Sequence, residues 1–147
     1  MINNGYTLIL EVGYDYQTKY SDFNNYKNTC KTNSIICLGG GQAGSDSIRV
    51  VACAACSDVI TDTAINSPVY HGLAYWYLSD PTSVGFSPTS TISQGQADTY
   101  DITNELRLSW HLTGSDGYRA GSIVNPGTTY YKYVFIKESS KKKNFFF

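Results

Sequence analysis

Glu105-Leu106-Arg107-Leu108-Ser109-Trp110-His111-Leu112 alternates apolar and polar side chains without a break. Successive side chains on an extended backbone point to opposite faces. The spacing therefore predicts a half-buried strand with Leu106, Leu108, Trp110 and Leu112 on one face and Arg107, Ser109 and His111 on the other. Tyr130 to Lys137 reads the same way, with Tyr131, Tyr133 and Phe135 on one side and Tyr130, Lys132, Val134 and Ile136 opposite. Both of its sides carry apolar bulk, which predicts cover on both.

Tyr6 to Val12, Ser34 to Leu38, Ser47 to Ala54 and Leu73 to Leu78 are further strand candidates, rich in the β-branched and aromatic types that suit a pleated surface. Val59 to Thr63, Asp98 to Ile102 and Tyr118 to Ser122 are shorter ones. Turn signals separate them: Gly39-Gly40-Gly41, Asn66-Ser67-Pro68, Asp80-Pro81, Ser87-Pro88, Gly114-Ser115-Asp116-Gly117 and Asn125-Pro126-Gly127. No segment keeps a helical period over three turns. The chain is expected to be an all-β, single-domain antiparallel β-sandwich of jelly-roll or immunoglobulin-like type, with a barrel as the alternative. The sandwich is expected over residues 1–138, with 13–33 a long loop or arm and 139–147 a C-terminal tail in which Lys141-Lys142-Lys143-Asn144 precedes Phe145, Phe146 and Phe147.

The 147 residues are enough for one core and few for two. Only 16% are charged and the net charge is −1, which offers no basic field to draw a phosphate backbone, so nucleic acid is excluded as a partner. No apolar run approaches the roughly 18 residues of a membrane span. The start, Met1-Ile2-Asn3-Asn4-Gly5-Tyr6, lacks the pattern of a secretory signal, and an extracellular or particle-associated setting is favoured on other grounds below.

Cys30, Cys37, Cys53 and Cys56 permit three disulfide pairings, among which spacing cannot choose. The spacing also fits tetrahedral zinc loosely. Cys53 and Cys56 flank Ala54-Ala55 at the end of an apolar run, where cysteine acts as a small buried hydrophobe, and Cys30 beside lysine is expected to be an exposed thiol. No metal and no cofactor is expected.

His71 and His111 are the only candidates for a general base, and neither stands by a nucleophile motif. The acids lie mostly beside Ser, Thr, Gly or Pro, the placement expected in turns. Tyrosine is the most telling component, at 13 residues, joined by Trp76 and Trp110. In Tyr75-Trp76-Tyr77 the two tyrosines share a face and could stack on a sugar or a partner protein. Tyr118 with Arg119 in Asp116-Gly117-Tyr118-Arg119 pairs an aromatic with a forked donor.

The composition resembles that of interface cores, which are poor in charge and rich in Tyr and Trp. A noncatalytic structural subunit is therefore expected, self-associating as a homo-oligomer, filament or coat through tyrosine-rich β faces, strand edges and terminal arms that include Phe145, Phe146 and Phe147. The alternative is a lectin-like glycan-binding module using Tyr75, Tyr77, Tyr118 and Arg119. A small hydrolase using His111 with a loop Asp comes third.

Overall fold

A computed structural model describes residues 4–96, 98–114 and 116–138. Ten strands form two antiparallel sheets that do not close into a barrel. The first sheet holds, in spatial order, β1 (Thr7–Gly13), β10 (Tyr130–Lys137), β2 (Ile35–Gln42) and β3 (Val50–Ala55). The second holds β4 (Val69–His71), β5 (Ala74–Ser79), β6 (Ser83–Ser87), β7 (Leu108–His111), β8 (Arg119–Ala120) and β9 (Ile123–Val124). The all-β sandwich expected from the sequence is the fold observed.

Alternation builds the core between the layers. Ile36, Leu38, Val50, Val134 and Ile136 point inward from the first sheet and meet Trp76, Leu78, Val84, Phe86, Leu108 and Trp110 from the second. Each such burial contributes about 1.5–3 kcal/mol relative to exposure. Leu108, Trp110 and Leu112 take the inward face expected of them, but Leu106 lies before the strand begins and is 64% exposed. The opposite face of β7 is not solvated either. Arg107 and Ser109 on that side are buried, and Arg119, paired with Ser109, is bonded to the carbonyls of Asp98, Tyr100, Asp101 and Asn104 from the stretch before β7.

Gly39-Gly40-Gly41, expected to turn, instead runs within β2, paired to Tyr133, Lys132 and Tyr131 of β10. These glycines make room for neighbours. A Cβ on Gly40 would overlap the Tyr14 hydroxyl, and one on Gly41 would stand 3.0 Å from the Ser47 carbonyl. The reversal comes a few residues later, where Gly44 adopts φ +75°.

Residues 13–33, expected as a loop or arm, contain helix α1 (Tyr20–Thr29). Tyr20, Phe23 and Tyr26 recur at three-residue intervals and give it a packing face, with Phe23 wholly buried. The Asp22 carboxylate accepts a bond from the Lys19 amide at 2.9 Å and closes the helix start. Val59 to Thr63 is not a strand: Cys56–Val59 forms a single turn, α2, and Val59 and Ile60 are buried from it. Asp98 to Ile102 is not extended either, because Asp98 and Asp101 both adopt φ 48°.

The thiol and zinc readings of the cysteines are also overturned. Cys30 bonds Cys56, and Cys37 bonds Cys53 directly across from it in the β2–β3 pair. The Cys37 and Cys53 Cα atoms are 4.1 Å apart, as in the closer kind of antiparallel pair.

Candidate functional site

Among the described residues that the sequence offers to a ligand, Trp76, Tyr77, Tyr118 and Arg119 are buried. Trp76 fills the core beside Phe86, ring centroids 5.1 Å apart. Tyr77 is buried on the other face, where its hydroxyl donates to the Leu108 carbonyl at 3.1 Å. Burial raises the pKa of that phenol, chiefly by desolvation.

Arg119 is also wholly interior. Its side chain donates to the carbonyls of Gly121, Asp98, Tyr100, Asp101 and Asn104, so every guanidinium N–H has a backbone acceptor. Arg107 donates from Nη1 to both oxygens of Asp98, at 3.1 and 2.9 Å, and from Nη2 to Thr89 Oγ1. Desolvation pushes Asp98 up, while the Ser93 amide and Arg107 pull it down. This network fastens Thr89, Thr91, Asp98, Tyr100, Asp101 and Asn104 over the second sheet, which is a structural duty. Of the residues expected in a glycan site, Tyr77, Tyr118 and Arg119 are buried and engage their polar groups with backbone carbonyls, and Trp76 beside them donates to the His71 carbonyl at 3.1 Å.

Tyr118 belongs to a cage that the sequence reading missed. Lys132 is buried on β10, and its Nζ lies 3.8 Å from the Tyr118 ring centroid, with Tyr14, Tyr16 and Trp110 at 5.7–5.9 Å. It donates to the Tyr16 carbonyl at 2.5 Å and to Thr18 Oγ1 at 2.7 Å. Desolvation lowers it to about 7, while Asp15 and Asp22 favour the proton. The signal was one charged residue on the Tyr130, Val134 and Ile136 side of an otherwise apolar strand.

Tyr75 stays half-buried and pairs across strands with Tyr70, ring centroids 5.0 Å apart. His71 Nδ1 stands 3.5 Å from Asp58 Oδ2. His111 Nε2 is buried with no hydrogen-bond partner among the described residues, and its ring abuts Gly117. Phe145, Phe146 and Phe147 lie outside the described residues.

Two open grooves among the described residues have mainly apolar linings. The first, about 510 Å³, runs along the free side of β3, the outermost strand of its sheet, and its lips are Val51, Leu73, Pro88 and Leu106. Leu73 is 92% exposed. Arg49 pairs with Glu105 at its end, where the Ser122 hydroxyl, more than the arginine, holds the carboxyl below its usual range. The second groove, about 410 Å³, lies on the outward face of the first sheet over Tyr133 and Phe135.

In comparisons with known proteins, the chain matches no family model, no curated protein and no solved structure.

Proposed function

We propose that this protein is a noncatalytic assembly subunit, whose copies associate through the apolar groove beside β3. The observation that carries the reading is the juxtaposition of an outermost six-residue strand with exposed Leu73, Leu106 and Val51. An outermost strand presents unpaired amides and carbonyls, and apolar lips beside it reward an extended segment that adds as a further strand. A contiguous exposed patch of large apolar side chains marks an interaction surface. Two disulfides and no free thiol among the described residues fit an oxidising compartment, such as the outside of a cell or particle.

Light scattering over a concentration series tests this. The expected result is a mass above that of one chain, reduced by Leu73→Asp together with Leu106→Asp without loss of the folded near-UV spectrum. A single-chain mass at every concentration would exclude assembly.

The Tyr70–Tyr75 pair favours a second reading, glycan binding, because Tyr70 is 55% exposed and two tilted rings can bracket a sugar. A sugar array probed with the native protein and with Tyr70→Ala separates the two. Binding that survives the substitution would dismiss this pair as the site.

A further inference from the structure

The outward face of β10 carries an aromatic row that lies outside the core between the sheets and away from the β3 groove; its Tyr133 and Phe135 are largely buried in a second, smaller cluster that floors a groove. Tyr131, Tyr133 and Phe135 stand at alternate positions, with centroids 6.4 and 6.1 Å apart, and the last two rings lie within 20° of parallel. The row rests on Cys37, whose disulfide to Cys53 stiffens the strands beneath. Tyr6 and Ile48 form the walls of the groove above it. A concavity of about 410 Å³ is of the size that encloses a compact apolar group.

The charged residues that line it are acidic, while Lys137 on the same face of β10 stands over the Tyr6 ring, 5.2 Å from its centroid. Glu11 on β1 and Asp46 on the turn after β2 line opposite sides, both are exposed, and neither takes part in an ion pair among the described residues. An aromatic floor with carboxylates on both lips complements a segment that joins cations to aromatic side chains. The sequence contains one such segment, Lys141-Lys142-Lys143-Asn144-Phe145-Phe146-Phe147.

We infer that this groove receives residues 141–147 of a second copy of the chain: the phenylalanines on Tyr133 and Phe135, the lysines against Glu11 and Asp46. The neighbour, not the same chain, is the source. Residues 131, 133 and 135 face the groove, so Glu138 faces the other way, where it pairs with Lys31 at 2.9 Å. The last described side chain is thus engaged on the face away from the groove. Residues 139–147 can span up to roughly 30 Å when extended, enough to reach an adjoining subunit. The inference rests on the assembly reading above and adds a second contact to it.

Two full-length variants test it by charge exchange. One carries Glu11→Lys with Asp46→Lys in the groove; the other carries Lys141→Glu, Lys142→Glu and Lys143→Glu. Each alone should need about tenfold or more higher concentration to reach the native mass in light scattering, because like charges then meet. Mixing them should restore association, since each groove then finds a tail of opposite charge.

Association of both variants at native strength would overturn the inference while leaving assembly through β3 intact; that result is also expected if the groove takes a neutral glycan. Failure of the mixture to recover would overturn it as well. A native protein of single-chain mass would end both proposals together. The second variant alters only residues beyond the sandwich, so its result stands even if the groove variant does not fold.

Discussion

The ammonium of Lys132 stands 3.8 Å from the centre of the Tyr118 ring, beneath the start of a segment that the same lysine ties down through Tyr16 and Thr18. A cation so placed gains from the ring face and loses its water.

The loss of water sets a pH dependence with a definite sign. Burial lowers Lys132 to about 7 from 10.5, so between those values the unfolded chain binds a proton that the folded protein has released, and stability rises with pH. Buried Tyr14 and Tyr77 act oppositely: their pKa values are raised above 10.0, so stability falls once unfolded tyrosines begin to ionise near that pH. Urea unfolding from pH 6 to 11 should show a maximum near the upper end of the lysine window. Lys132→Met should flatten the rising limb, and an unaltered limb would mean that another group causes it.

Asp98 and Arg107 are both essentially inaccessible to solvent. Removing one partner leaves the other charge buried, at a cost of about 3–5 kcal/mol, whereas replacing both with apolar residues costs less. Asp98→Asn should therefore destabilise more than the pair Asp98→Leu with Arg107→Met, as read from urea midpoints. Equal losses would show that the bonds from Arg107 to Thr89 and Thr91 matter more than the ion pair.

The disulfides close loops of different length, with sequence separations of 26 for Cys30–Cys56 and 16 for Cys37–Cys53. Chain entropy gives about 3.5 and about 3 kcal/mol respectively. Paired Cys→Ser substitutions should both lower the thermal midpoint, the outer pair slightly more. A much smaller loss at Cys37–Cys53 would indicate that the β2–β3 pairing already persists in the unfolded chain.

Strands were legible where one face alternates cleanly, as at Leu108, Trp110 and Leu112, and where bulk on both sides announced cover, as along β10. What escaped was cover supplied from far along the chain. Nothing local marks Arg107 and Ser109 as interior, because the stretch bonded to Arg107 and Arg119 is irregular. Gly39 to Gly41 looked like a turn because the space they provide serves other parts of the chain: Tyr14 at Gly40, and the stretch from Ser47 to Val51 at Gly39 and Gly41. Helix α1 was hidden because its three aromatic contacts are diluted by asparagine and lysine. Site residues are harder to read than the fold: a tyrosine or arginine serves the interior as readily as a ligand, and only three-dimensional placement separates the two.

The two disulfides are nested, Cys37–Cys53 inside Cys30–Cys56. A protease that cuts the exposed turn around Gly44 to Ser47 would therefore release nothing: the two pieces would stay joined by both bonds and by the intact ladder of β2 with β10. Anywhere from 31 to 55, the backbone can be severed and the molecule remains one covalent body. A protein outside the cell, among hydrolases, would keep its shape after damage that would dismantle an unlinked chain.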